Sequence, residues 1–283
     1  MKKKIYIPII GGLGNQMFQM AHAISLLNEK EVNICPLDFT NCFTRINRKW
    51  QLDCFNLKPY KISLLSKLII LLRIKLSSYL IKINRNFHLR VFHEKEFKEY
   101  KINKFNPQQF NVIFGYWQSE IYFQKSKKEI KKLFYFPKII DSYKKNNCVA
   151  IHVRLGDYIA DSRTRNFHLV CDRDWYLKAV KKMEELINNP QFVVFSDNYY
   201  EAKKIFGSKV NIYFNKTTSS HNPWLDMKRI SEFNHFILSN SSYSWWASYL
   251  GKDESSLVIA PKYWYPNKKT KSLPIYRKEW FLL

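Results

Sequence analysis

An α/β protein built on parallel sheets is the fold class the sequence predicts, and three observations carry it. An apolar run at residues 5–10 meets a glycine turn, Gly11-Gly12-Leu13-Gly14, and then a helical pattern over 15–27. The second half alternates short apolar runs with amphipathic segments, which implies strands separated by crossover helices. A chain of 283 residues, 46% of them hydrophobic, is long enough for two domains with ample cores.

Taken in order, residues 5–27 read as the first β–turn–α of a nucleotide-type half domain. The opening "MKKKIYIPIIGGLG" has the basic start of a secretory signal. Pro8, the paired glycines, Asn15, Gln16 and Gln19 interrupt its apolar region, so it reads as mature structure. From 58 to 93 the chain carries eight Lys/Arg and no acid. Within it, "ISLLSKLIILLRIKLSSYLIKI" is interrupted by Lys67, Arg73, Lys75 and Lys82 too often for a spanning helix, which needs about 20 mostly uncharged residues. At about 100° per residue its leucines and isoleucines occupy nearly the whole circumference. Two readings stand side by side: a helix lying on an anionic bilayer, or one packed in the N-terminal domain with its lysines in water. The basic helical character is expected over 58–104.

"GYWQSEIYF" (115–123) precedes a basic helix, "KSKKEIKKLF", which Pro137 closes. Residues 138–147 are polar, lysine-rich and aperiodic, the pattern of a linker, and the domains divide as 1–140 and 141–283. Beyond it come a strand at 149–153, a helix at 175–187, the strand "FVVFSDN", a short helix at 201–206 and the strand "VNIYF". A helix at 225–233, the strand "HFILSN", a helix at 244–250 closed by Gly251 and the strand "LVIA" complete the alternation.

Charge and cysteine usage narrow the function classes. Lys+Arg 47 against Asp+Glu 23 leaves a net +24, which calls for an acidic partner: nucleic acid, an anionic membrane face or a phosphorylated substrate. The 8 Trp, 18 Tyr and 21 Phe suit surfaces that grip sugars, although any single one is better read as core. Five cysteines without a C-x-x-C pair fit neither a disulfide framework nor a zinc site and point to a reducing, cytoplasmic compartment.

Parallel sheets bind ligands at the carboxyl ends of their strands, and three strand ends in the second half carry polar clusters. His152, Arg154, Gly156 and Asp157 follow the first, Ser196-Asp197-Asn198 the next, and Ser239-Asn240-Ser241-Ser242 a later one that opens a helix. Hydroxyls and N–H groups at a helix start suit phosphate, and the same residues serve routinely as N-caps. Arg154 offers a planar fork for a diphosphate, His152 adds a donor, and alternate strand positions turn both to one side. Asp197 suits the paired N–H donors of guanine, with capping of the following helix as its structural alternative.

These pieces together resemble glycosyltransferase family 11, the α-1,2-fucosyltransferases. The matching stretches are "GGLGNQMFQMAHAISL", "GYWQSEIYF", "HVRLGDYI", "VVFSDN" and "FNHFILSNSSYSWWASYLG", in the family's order to about residue 251. The resemblance implies a GT-B-like arrangement of two Rossmann-like domains facing each other across a cleft, with the acceptor side in 1–140 and the GDP-sugar side in 141–283. It also implies GDP-fucose as donor, inversion at the anomeric carbon and no metal. Carried over by position, His152 and Arg154 hold the pyrophosphate, Asp197 reads guanine, and Asn240, Ser241, Ser242 and Tyr243 cradle phosphate and base. Gly12, Gly14, Asn15 and Gln16 approach donor or acceptor. Many members have a second arginine where this chain has Leu155, whose side chain alternation turns away from that of Arg154.

The implied reaction moves fucose to a sugar hydroxyl, O-2 of a galactose, of a surface-polysaccharide or O-antigen oligosaccharide. Arg154 neutralises the leaving diphosphate in place of a metal. Asn15 can only position a hydroxyl. The general base stays unassigned among Asp157, Asp161, Asp172 and Asp226, of which Asp157 is nearest in sequence. The expected partners are GDP-fucose, an oligosaccharide acceptor, lipid-linked at the inner membrane face, and the anionic membrane itself, but no nucleic acid. Three rivals remain. "CDRDW" (171–175) holds a D-x-D of the kind that binds manganese, against which Asp174 sits where an N-cap belongs. The charge fits a nucleic-acid binder, though without a recognisable motif, and an inactive sugar-binding relative is the third.

Overall fold

The computed structural model describes residues 2–43, 48–82, 89–94, 106–136, 147–155, 170–207, 211–215, 222–265 and 275–283. The linker expected at 138–147, apart from its last residue, lies outside them, as do Gly156, Asp157 and Asp161. The chain divides into two compact units, Met1–Tyr135 and Phe136–Leu283.

In unit 1, strands β1 (Lys4–Ile9), β2 (Asn33–Asp38), β3 (Val91–His93) and β4 (Val112–Phe114) form a parallel sheet in the order β2-β1-β4-β3. Strand β2 lies at the edge of this sheet, where the missing N–H of Pro36 is tolerated. After β1 the chain turns at Gly11, whose φ of 79° favours glycine, into helix α1 (Leu13–Lys30). The turn is clamped from the helix. Gln19 accepts from Ile10 N at 2.9 Å and donates to Ile10 O at 2.8 Å, so one buried amide satisfies both backbone groups.

Helix α2 (Leu64–Lys82) supplies the expected helix of the basic segment, but the helical character does not run through 58–104, because Val91–His93 is strand β3. Ile70 and Ile74 of α2 are buried with Val91, Val112, Leu37 and Phe39. Arg73 donates to Leu89 O (2.6 Å) and Asn111 Oδ1 (2.8 Å), so this cation is a brace within the unit. Apolar residues on its opposite side are exposed, which accounts for an apolar circumference with no polar face. The short helix α3 (Lys127–Leu133) follows the "GYWQSEIYF" stretch.

Unit 2 contains β5 (Cys148–Val153), α4 (Arg173–Leu186), β6 (Gln191–Ser196), α5 (Tyr199–Phe206), β7 (Ile212–Phe214), α6 (Pro223–Ile230), β8 (His235–Ile237), α7 (Ser242–Gly251), β9 (Val258–Ala260) and β10 (Phe281–Leu282). Its strands pair in parallel in the order β10-β9-β8-β5-β6-β7. That is the doubly wound order, in which winding reverses between β5 and β8. Val149, Ile151 and Val153 pack on one face of β5 with Tyr176, Ala179, Val180 and Met183 of α4. These α4 positions recur at helical spacing, and each fully buried apolar side chain contributes about 1.5–3 kcal/mol. Leu155 packs against the same cluster, so alternation sends His152 and Arg154 to the opposite face.

Candidate active site

The winding reverses between β5 and β8, and the carboxyl ends of the strands at such a point are where doubly wound sheets take their ligands. His152, near the end of β5, reaches the segment after β8: its Nδ1 lies 2.8 Å from Ser239 Oγ. The imidazole stacks on Tyr243 with ring centroids 5.3 Å apart. Its carbonyl accepts from the Tyr176 hydroxyl at 3.2 Å, which pins the strand end to α4. Burial pushes this histidine down to about 4; Asp197 pulls it up and Arg154 pushes it down further, so the ring is neutral at pH 7.

Arg154 turns toward the end of β6, where its guanidinium pairs with Asp197 Oδ2 at 2.6 Å. The other carboxylate oxygen accepts from Leu155 N at 2.8 Å. Both oxygens of Asp197 thus hold the β5 terminus, and the expectation that they receive a guanine edge meets a carboxylate already engaged. Both side chains stay about a quarter exposed, so the cation can still meet a ligand. At such exposure the ion pair contributes about 0–1 kcal/mol to stability, and its value lies in aiming the guanidinium.

Helix α7 starts in the same place. Ser241 is its N-cap, with Oγ accepting from Tyr243 N at 3.3 Å, and Ser244 Oγ donates to Ser239 O and Ser241 O. The N-cap alternative for Ser241 is therefore realised, while the helix still presents its N-terminal dipole there. Ser242 opens the first turn. The Asn240 side chain is buried and donates to Trp264 O at 3.0 Å, which ties down the loop rather than facing a ligand. Tyr243 donates to Pro223 O, and burial, ahead of nearby Asp226, holds its phenol well above the ordinary range. Asp226, unassigned by sequence, accepts from Asn215 (3.1 Å) and Arg229 (3.3 Å), and burial raises its carboxyl.

The remaining expected residues lie in unit 1 around the N-terminus of α1. A Cβ on Gly12 would meet nothing within 4 Å, whereas Gly14 is buried. Asn15 Oδ1 accepts from Gln118 Nε2 at 2.7 Å. Gln16 corrects its expectation: it is fully buried, donating to Gly11 O and Lys49 O at 2.8 Å each and accepting from Gln51 N at 2.9 Å. Its amide secures a loop and has no group left for a donor nucleotide.

Sequence reasoning missed Glu94. Its buried carboxylate accepts from Tyr116 N (2.7 Å) and Trp117 N (2.9 Å), holding Trp117 at a φ of 56° just before Gln118. Burial raises this carboxyl, against the pull of those two N–H groups. An acid at the end of an obscure basic stretch gave no motif to find it by.

In the D-x-D stretch the cap is Asp172, not Asp174: Asp172 Oδ1 accepts from Trp175 N at 2.8 Å, and Asp174 sits within the first turn of α4. Among the described residues no three His, Cys, Asp or Glu side chains gather to hold a metal ion.

A doubly wound sheet with a braced cation and a helix N-terminus at its reversal is the architecture of an enzyme that handles a phosphorylated nucleotide. The comparisons sharpen this. The chain belongs to glycosyltransferase family 11, since the profile described as Glycosyl transferase family 11 matches residues 2–283. The O-antigen biosynthesis glycosyltransferase WbnK of Escherichia coli is 28% identical over 94% of this chain and 97% of its own length. An alpha-1,2-colitosyltransferase of Escherichia coli is 26% identical over 96% of each chain. The galactoside 2-alpha-L-fucosyltransferase Sec1 of Mus musculus is 29% identical over 103 residues, 36% of this chain and 28% of that one. The protein is a glycosyltransferase, and the nucleic-acid-binding reading falls with that membership.

Proposed function

We propose that the protein transfers L-fucose from GDP-β-L-fucose to a sugar hydroxyl, O-2 of a galactose in a surface-polysaccharide or O-antigen oligosaccharide, with inversion and without a metal. The observation that carries it is the guanidinium of Arg154, fixed just beyond β5 by Asp197 at the end of β6 and within electrostatic reach of Tyr243 in the first turn of α7. An acceptor oxygen attacks the anomeric carbon, the bond to the diphosphate breaks, and negative charge grows on the departing oxygens. A cation set in place beforehand acts mainly on that charge, and loss of one such donor costs about 2.7–4 kcal/mol. The neutral His152 can add one hydrogen bond but no charge, so Arg154 carries the electrostatic work. The N–H groups at the start of α7, with Ser241 and Ser242, are the second phosphate contact. Asp197 aims the guanidinium, and Asn15 positions a hydroxyl in unit 1. No general base is assigned.

A second donor follows from the full-length relative named for colitose, a fucose lacking its 3-hydroxyl. Incubation with labelled GDP-fucose, its colitose counterpart and a panel of galactosides, with and without excess chelator, separates these readings. Fucosylated product with an α-1,2 bond and undiminished turnover in chelator supports the proposal. Turnover abolished by chelator and restored by manganese would overturn its metal-free step. Transfer of colitose with no transfer of fucose would overturn its donor.

A further inference from the structure

Among the described residues nothing covers the outer side of α2. Leu64 is 86% exposed, Leu65 68%, Leu68 51%, Leu72 57%, Leu76 51% and Tyr79 60%. At helical spacing these six fall within about 120° of one another, opposite the buried Ile70 and Ile74. A continuous apolar stripe of this size on a water-facing helix marks a docking surface. Its surroundings are basic. Exposed Lys75 lies on the stripe, exposed Lys58 and Lys61 precede the helix, and no acid occurs from 58 to 93.

We propose that the outer face of α2 docks on an anionic lipid bilayer, with the leucines entering the acyl boundary and the lysines meeting headgroup phosphates. Charge complementarity selects this occupant. A second copy packed face to face would bring the Lys75 of both copies into one apolar seam in a protein of net charge +24. No helix among the described residues is long and apolar enough to cross a membrane, so α2 lies in the interface plane. The inner side of α2 stays on the unit 1 sheet through Ile70, Ile74 and the Arg73 brace, so docking requires no unfolding. The inference does not depend on the identity of the donor sugar.

Co-sedimentation of the full chain with phosphatidylcholine vesicles, with and without phosphatidylglycerol, tests it in the absence of any substrate. Binding to the anionic vesicles should be at least about tenfold tighter than to neutral ones and should weaken as salt is added. The combined variant Leu68→Glu, Leu72→Glu, Leu76→Glu should lose it while keeping the wild-type Tm. Lys58→Glu with Lys61→Glu, which alters charge alone, should weaken it as well. A wild-type chain that stays in the supernatant, or either variant sedimenting as wild type does, overturns the inference. So does concentration-dependent dimerisation that the leucine variant abolishes in a chain that ignores vesicles.

Discussion

The imidazole of His152 and the hydroxyl of Ser239 meet at 2.8 Å and tie the end of β5 to the segment that leaves β8. These two strands are neighbours in the sheet though more than eighty residues apart in sequence, and the chain winds away from them in opposite directions. A neutral ring can make this bond with either tautomer, leaving Nε2 in the complementary role. The contact therefore fixes the floor of the site without placing a charge in it. The charge comes from Arg154.

Arg154→Ala should lower kcat at least about a hundredfold and weaken GDP binding, with Tm nearly unchanged. Arg154→Lys should recover only part of the loss, because an ammonium has no planar fork. Steady-state kinetics with a soluble acceptor read both, and an alanine variant retaining most of its activity would refute the assignment.

Asp197→Ala should lower kcat in the same direction by about tenfold or more, since it frees the guanidinium and releases Leu155 N. Its discrimination between GDP and ADP should stay as in wild type. Titrations of both nucleotides distinguish this from a guanine-reading carboxylate, whose removal would level the two affinities.

Glu94→Ala should destabilise unit 1 by about 1–3 kcal/mol, because the backbone N–H groups of Tyr116 and Trp117 lose the oxygen that accepts from them both. Trp117 sits in the left-handed region, which costs a bulky residue about 1–3 kcal/mol and persists only while its loop is held. Denaturant unfolding measures the loss, and an unchanged midpoint would show that the loop holds itself.

Gly251→Ala should lower Tm by several degrees, because a Cβ there would run into the backbone carbonyl of Ser231 at the end of α6. Helix α7 would have to shift, carrying Ser241, Ser242 and Tyr243 with it. GDP affinity should fall with stability, which thermal shift with and without nucleotide reports.

Acid should destabilise the fold through its buried histidines. Burial pushes His22, stacked 4.2 Å from Trp117, down to about 3 and His152 to about 4. In an unfolded chain imidazole titrates near about 6.5. Below that value the unfolded chain takes up protons that the folded one refuses, so the stabilisation is full above about 6.5 and is lost as pH falls toward the folded values. Each histidine contributes a slope of up to about 1.4 kcal/mol per pH unit. Glu94 and Asp226, raised by burial, act with the opposite sign: their contribution is greatest at low pH and is lost as pH rises through their folded values. His22→Gln should flatten the acid limb by one histidine's slope, read from denaturation midpoints between about pH 7 and about pH 4.5. An identical limb in the variant would mean that His22 is charged in the fold.

Much of unit 2 was legible because most of its strands carry runs of three or four apolar residues, separated by helices with a clean inner face. His152, Arg154 and the serines beyond β8 stood out as polar groups at strand ends, and the sheet order then brought them together. Alternation also settled Leu155. Unit 1 was harder. Strands β3 and β4 are three residues each, too short for any period to show, and β2 contains Pro36. Gln16 looked like a ligand contact because a polar residue after a glycine turn suits that role, yet its amide is taken up by the backbone of that turn and of a neighbouring loop. In α2 the apolar circumference concealed two faces with different neighbours, which spacing cannot separate. Glu94 acts through backbone N–H groups more than twenty residues away, a pairing that no local pattern announces.

A guanidinium already braced by Asp197 should hold the spent nucleotide as readily as the intact one. On the proposed reading, the feature that speeds bond cleavage should also make GDP an inhibitor competing with the donor, with its escape limiting turnover once acceptor is plentiful. Hydrolysis of released GDP by an added phosphatase should then prolong the linear phase of the reaction.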